Sequence, residues 1–294
     1  MPNFPIIDTH LHIWDPKRLN YSWIKGNALF DRAYHIEDYS RDLGNLQVAA
    51  MVFLECYADF TPEGGQYLEE VRFVEAEAER DPRIRAIVPM APLEKGLGCE
   101  PVLAEMAERH PSVKGIRRIV EFDADPRALT LSEGFIAGVN LLEKYRYHFE
   151  INVKYHQMDI VREFVKRIPN VPMILDHCGK PGIAAGRFAQ YREDLRDLAK
   201  HPNLWIKLSD LPVEADHHNW TPADLRPFID ETFEAFGADR ILYAGDYPVC
   251  LQATSLPRWV EVLDWATAGL SETERRKFYY NNANAFYRLG LPPL

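Results

Sequence analysis

Residues 5–12 read PIIDTHLH, a short apolar, β-branched run that ends in two histidines. Runs of the same kind recur along the chain as VAAMVFLE (48–55), IRAIVPMA (84–91), VKGIRRIV (113–120), YHFEINVK (147–154), VPMILDH (171–177), NLWIKLS (203–209) and RILYAGD (240–246). Amphipathic stretches separate them: 67–81, 102–110, 158–168, 188–200 and 222–236, with 251–268 and 273–287 after the last run. Near-continuous apolar strands alternating with helices are the pattern of parallel strands covered by helices. Eight such units predict an α/β fold closed as a (β/α)8 TIM barrel. An open doubly wound sheet would usually carry a glycine-rich phosphate turn after an early strand, and here histidine and tryptophan follow Ile7 instead.

The 294 residues suit one barrel of roughly 250 residues plus insertions. With no low-complexity segment or long polar linker, 1–294 reads as a single domain. One insertion stands out. Residues 13–45 are rich in aromatics (Trp14, Tyr21, Trp23, Phe30, Tyr34) and show little helical period. A long excursion after strand one would lie over the top of the barrel, and loops of this length are usually functional. It is expected to be a lid, an arm on a neighbouring subunit being the other reading.

A formal net charge of −10, spread along the chain without a basic stripe, argues against nucleic acid as a partner. The four cysteines form no CxxC pair, so no redox or zinc-knuckle motif is read. No run of about 18 apolar residues exists to span a membrane, and the N-terminus lacks the cationic flank and apolar run of a signal peptide. A cytoplasmic protein with reduced thiols is expected; a homo-oligomer is left open.

The chemistry-bearing residues sit at the ends of the apolar runs. Alternate side chains of a strand share a face, so His10 and His12 converge while Leu11 points into the other layer. Two imidazoles at a strand end form a chelate for a divalent metal; the alternative is two core histidines satisfied by carbonyls. Asp246, in ILYAGDYP, ends strand eight, which adjoins strand one when a barrel closes. It can ligate a metal or accept a proton from water, or merely cap a helix. His177, in MILDHCGKP, ends strand six before a tight turn, with Asp176 expected to face the opposite way. Glu55, Arg117, Arg118, Tyr155, His156, Lys207 and Ser209 end other strands and are candidate substrate-binding residues. Together they would bring several cations to one mouth, suiting an anionic or oxygen-rich substrate. Cys178 and Cys250 read as small packing residues.

The blocks IIDTHLHIWD, ILDHCGKP and ILYAGDYP resemble the amidohydrolase superfamily. More narrowly, they resemble the amidohydrolase-related branch that holds sugar lactonases and pyrone-dicarboxylate lactone hydrolases, and LWIKLSDL fits the same branch. The resemblance spans almost the whole chain. It implies an amidohydrolase-like distorted barrel with one divalent ion, zinc or manganese, on His10 and His12. Asp246 would be ligand and proton acceptor, and His177 a ligand or a carbonyl-polarising group. The chain departs from the broad superfamily at strand five, where no histidine ends NVK, and Lys114 in VKGIRR does not resemble a carboxylated bridging lysine. A two-metal site is therefore not implied. Some lactonases of this branch work without a metal, so metal-independent catalysis also stays open.

The function these residues and this resemblance imply is lactone hydrolysis of a sugar lactone or a carboxylated lactone. Water beside His10 and His12 loses a proton to Asp246 and attacks the ring carbonyl. His177, Lys207 or a strand-four arginine stabilises the oxyanion. An amidohydrolase-related decarboxylase and a catalytically silent binding barrel are the alternatives; released CO2, or binding without turnover, would mark them.

Overall fold

A computed structural model describes residues 1–59 and 67–294 of the chain. The strands are β1 (Ile6–Leu11), β2 (Val48–Leu54), β3 (Ile84–Val88), β4 (Gly115–Arg117), β5 (His148–Ile151), β6 (Met173–Leu175), β7 (Leu204–Leu208) and β8 (Ile241–Tyr243). Each lies within one of the eight apolar runs. All paired strands are parallel, in two sheets ordered β1-β2-β3 and β4-β5-β6-β7-β8. The sheets meet through two parallel bridges, Ile87 with Val113 and Leu11 with Tyr247. The cylinder thus closes with two thin seams, a distorted (β/α)8 barrel.

Side chains reinforce the β8–β1 seam. Thr9 Oγ1 donates to the Tyr243 carbonyl (2.6 Å) and the His12 amide donates to the Tyr247 carbonyl (2.8 Å). Asp8 accepts from the Gly245 amide (2.7 Å), the His10 amide (3.1 Å) and Tyr39 Oη (2.9 Å). A β-carbon on Gly245 would lie 2.4 Å from Asp8 Oδ2, so glycine is what lets the backbone come this close.

The helices are α1 (Ile36–Asp42), α2 (Tyr67–Arg80), α3 (Glu100–Arg109), α4 (Pro126–Thr130), α5 (Glu133–Asn140), α6 (Met158–Phe164), α7 (Phe188–Leu198), α8 (Pro222–Phe236), α9 (Leu256–Ala266), α10 (Glu272–Arg276) and α11 (Asn282–Phe286). Their starts follow local chemistry. Thr221 and Ser271 form capping boxes with Asp224 and Glu274, and Pro222 and Pro257 occupy first-turn positions where a missing N–H costs nothing. Helices α1, α4 and α5 have no counterpart in the sequence reading, because five to eight residues are too few to show a clear 3.6-residue period.

Two apolar layers result. The larger lies between strands and helices. A smaller cluster fills the barrel, where Ile7, Val52, Val88, Ile174 and Leu242 pack with Tyr280, Ala283 and Tyr287 of the C-terminal segment. That segment closes the end away from His10 and His12. The opposite end, at the strand carboxyl termini, stays open, as in other barrels of this class.

Candidate active site

The open end holds a cavity of about 420 Å³. His12, His177 and Asp246 lie at its base, with Glu55, Arg117 and Asn152 around them. Lys180, Asp210 and Tyr57 form further polar wall, and Trp23, Ile119, Phe122 and Val249 form the apolar side. Trp23 comes from the 13–45 segment and donates its Nε1–H to the Cys56 carbonyl (2.8 Å). Trp14, Tyr21, Phe30 and Tyr34 of that segment are buried around one another.

Backbone conformation explains why these side chains converge. Tyr57, His177, Cys178, Lys180, Asp210 and Asp246 all have φ between 47° and 63°. Left-handed backbone is costly for residues other than glycine and collects at functional sites. It also breaks strand alternation. His177 and its neighbour Asp176, expected on opposite faces, both turn into the barrel because the extended strand ends at Leu175. Register shifts within β1 likewise turn Ile7 and the later His10 and His12 to the interior.

His10 Nε2 and His12 Nε2 are 3.1 Å apart, and each lies 3.4 Å from Asp246 Oδ1. His12 Nδ1 faces the Leu54 carbonyl at 2.9 Å. A carbonyl only accepts, so Nδ1 carries a proton and Nε2 is the ring atom that faces Asp246. Asp246 Oδ1 is buried and has no hydrogen-bond partner among the described residues. Donors bound about 2.1 Å from a tetrahedral ion lie about 3.4 Å apart, so these three atoms fit a divalent cation. His10, His177 and Asp246 also bring ligand atoms within 4.8 Å of one another, making His177 a candidate fourth donor. One neighbour competes: Arg117 Nη1 stands 3.1 Å from His10 Nε2, facing the lone pair a metal would use.

Electrostatics set the charge states. Burial would raise the Asp246 carboxyl, but His177, His12 and Asp210 outweigh it and hold the group at about 2. Asp210 moves the other way, pushed well up by burial and by the Asp246 charge, against the pull of Lys180. The adjacent pair therefore shares one negative charge, carried on Asp246. His10 is driven well down by burial and by Lys207, His177 and Arg117, and is neutral. His177 is driven down by burial, which outweighs the opposing Asp246 charge.

Among the residues expected at the site, His12, Glu55, Arg117, His177 and Asp246 line the cavity. His10, Lys207 and Ser209 are fully buried and absent from its lining. Ser209 Oγ lies 3.0 Å from His177 Nδ1. The Lys207 ammonium contacts Glu150 and stands 3.2 Å from Asp176, so it is no oxyanion donor, contrary to the expectation. Arg118, Tyr155 and His156 are corrections too. Arg118 follows the inward-facing Arg117 and turns outward to Asp123 (3.1 Å) and Glu94 (3.5 Å). Strand β5 stops at Ile151, and the chain leaves the mouth in a 3-10 turn that carries Tyr155 and His156 into a groove beside α6 and α7. The expected cationic mouth is also not found: Arg117 is held by Glu55 (2.8 Å) and Asp176 (3.2 Å), and Lys180 by Glu121 (2.6 Å).

Sequence reasoning missed Asn152, Lys180, Asp210, Asp176 and Glu150. Lys180 and Asp210 stood in quoted blocks, GKP and LSD, and a rule placing residues just past a strand end at the mouth would have found them. Asn152 Oδ1 is buried without a hydrogen-bond partner among the described residues.

Behind the wall, Glu70 of α2 accepts from the Cys56 amide (3.1 Å) and Tyr21 Oη (3.4 Å), while its Oε2 has no partner among the described residues. Burial, aided by the Glu55 charge, raises its carboxyl from 4.5 to about 8. The folded chain then holds a proton that the unfolded chain releases, so this group weakens the fold as pH rises from about 4.5 through about 8. Glu70→Gln keeps the acceptor and removes the titration. Its melting temperature relative to wild type should rise between pH 5 and pH 9; a pH-independent difference would reject the assignment.

The amidohydrolase family model matches residues 7–289. An L-fucono-1,5-lactonase of Burkholderia multivorans is 31% identical over 299 residues, covering 97% of both chains. An L-rhamnono-gamma-lactonase of Scheffersomyces stipitis is 24% identical, covering 98% of this chain and all of that one. The crystal structure of an amidohydrolase from Burkholderia multivorans with bound zinc superposes with a TM-score of 0.86 at 28% identity, over 98% of this chain and 100% of that one. The eight-stranded barrel, the histidines and aspartate at its open end, and a family match over nearly the whole chain agree: the protein is a member of the amidohydrolase family.

Proposed function

We propose that the protein is a lactonase that opens the ring of a neutral sugar lactone with water. The observation that carries this reading is the ionised, partly unpartnered Asp246 carboxylate facing two imidazoles, with a third beside it, at the base of a water-accessible cavity. Relatives named for fucono- and rhamnono-lactones support it.

Asp246 takes a proton from water as the water oxygen attacks the ring carbonyl. His177 Nε2–H polarises that carbonyl and stabilises the oxyanion. The carbon–oxygen bond of the ring breaks, and Asp246 returns the proton to the departing alkoxide. The product acid then ionises. A divalent cation held by His10, His12 and Asp246, with His177 available, would add Lewis-acid polarisation. The segment carrying Trp14 and Trp23 acts as a lid that limits water around the ring.

Substrate class follows from the wall. A carboxylated lactone would need a free cation, yet Arg117 and Lys180 are each paired with a carboxylate, and the Asp246 carboxylate adds negative charge. Ring hydroxyls suit it better: the Asn152 amide and the spare Lys180 donors can read them, and Trp23, Ile119 and Phe122 offer an apolar side to ring carbons. A pH-indicator assay on neutral 1,4- and 1,5-sugar lactones alongside carboxylated lactones tests this. Proton release confined to neutral lactones is expected. Turnover of carboxylated lactones only would overturn the substrate class, and CO2 release without ring opening would overturn lactonase activity.

His177 can polarise a carbonyl only if Nε2 carries its proton, which requires Nδ1 to accept. The Asp246 carboxylate, 3.9 Å from Nδ1, cannot donate; the Ser209 hydroxyl can. Ser209→Ala should therefore lower kcat by about tenfold with KM little changed, and Ser209→Thr should restore most of it. An alanine variant with wild-type kcat would remove Ser209 from this role.

A further inference from the structure

Beneath His10 lies a second set of metal-type donors. His10, Glu150 and Asp176 bring ligand atoms within 4.8 Å of one another, all fully buried. Their donors, an imidazole and two carboxylates, suit zinc or manganese. The Lys207 ammonium stands among them. It contacts Glu150 Oε2 and lies 3.2 Å from Asp176 Oδ1 and 3.5 Å from His10 Nδ1. Asp176 Oδ1 has no hydrogen-bond partner among the described residues and makes only this charge contact with Lys207 and a longer one, 3.8 Å, with His10.

Glu150 is tightly placed. Its Oε1 accepts from Tyr287 Oη (2.8 Å) and stands 2.9 Å from His148 Nε2, which leaves Oε2 for Lys207. The charges nearly cancel: Glu55, Glu150 and Asp176 are set against Arg117 and Lys207, with Arg117 bridging Glu55 and Asp176. A buried carboxylate without a compensating cation is strongly unfavourable, and the Lys207 ammonium supplies that cation to Glu150 while standing within ion-pair distance of Asp176.

We propose that the Lys207 ammonium is the built-in second cation of this site, filling the position where His10, Glu150 and Asp176 would hold a second divalent ion and limiting the chain to one ion. Strand β7 carries Lys207 into the barrel with its side chain fully buried, so the cation is fixed by the fold and does not exchange with solvent. The inference rests on the reading of His10, His12 and Asp246 as the donors of the first ion, but its test is a difference between two forms of the chain.

Zinc and manganese stoichiometry is measured by equilibrium dialysis and elemental analysis on wild type, Lys207→Ala and Lys207→Met, each checked for fold by circular dichroism. Lys207→Ala vacates the position and should bind one more ion per chain than wild type, held by Glu150, Asp176 and His10 Nδ1, whose proton is released to solvent so that the ring bridges the two ions as an imidazolate. Lys207→Met fills the space without charge and should gain none. The double variant Lys207→Ala/Glu150→Gln should lose the extra ion. If Lys207→Ala folds poorly alone, its melting temperature should rise with added zinc by more than the wild type's. A gain of one ion over a metal-free wild type would uphold the inference and reject the first-ion reading. A folded alanine variant with wild-type stoichiometry and no added zinc response, or a wild type that binds two ions, would overturn the inference.

Discussion

Asp246→Asn is expected to lower kcat by about 10² to 10⁴, the range for losing a general base, with KM changed far less. The substitution preserves size, and an amide can still meet His10 and His12, so the cavity should keep its shape. What it removes is proton affinity at the atom facing those imidazoles. The wild-type carboxyl is held at about 2 against the burial that would raise it. A lowered carboxyl is ionised above its folded pKa, so no acid limb from Asp246 should appear in kcat/KM above about pH 4. Removing this charge also relieves Asp210, which it holds well up; residual activity should then depend on Asp210, and Asp246→Asn/Asp210→Asn should abolish it. Bound metal must be measured alongside, because Asn is the poorer ligand. Rate lost with metal retained assigns the proton role, and rate lost with the metal assigns only ligation. Near-wild-type turnover would remove Asp246 from the mechanism.

Replacing His177 by alanine should cost about 10² to 10³ in kcat, the scale for removing one oxyanion donor. The imidazole lines the cavity and is kept neutral by burial, so it offers one N–H to a developing oxyanion without adding charge to the resting site. Slow lactones, which depend more on carbonyl polarisation, should suffer most. His177→Ala should leave bound metal unchanged if the ring serves the substrate; parallel loss of metal and rate would make it a ligand instead. Unchanged kcat on every lactone would eliminate both roles.

The parts of the site visible in the sequence were those whose signal is local. His10 and His12 share a strand end, and Asp246 and His177 each close an apolar run, so residue type and position sufficed to propose them. Arg118, Tyr155 and His156 show the limit of that reasoning. Being next to a strand end did not decide which way each would point. The answer depended on where β4 and β5 stopped and on carboxylates, Asp123 and Glu94, that draw Arg118 outward. Lys207 faced inward as its strand required, but two acidic side chains from β5 and the end of β6 claimed it before any substrate could.

The sequence by itself determined the eight parallel strands, the helices long enough to show a period, and the family resemblance, because side-chain spacing and polarity are properties of neighbouring residues. Tertiary structure alone decided the rest. Which atoms lie within hydrogen-bonding reach, which cations are already neutralised, and which carboxylates share a charge all depend on strands far apart in the chain. The inward turn of Asp176, the burial of Lys207 and the paired state of Arg117 came from the barrel closing. In a water-poor interior every charge must find its counter-charge among whatever the neighbouring strands supply.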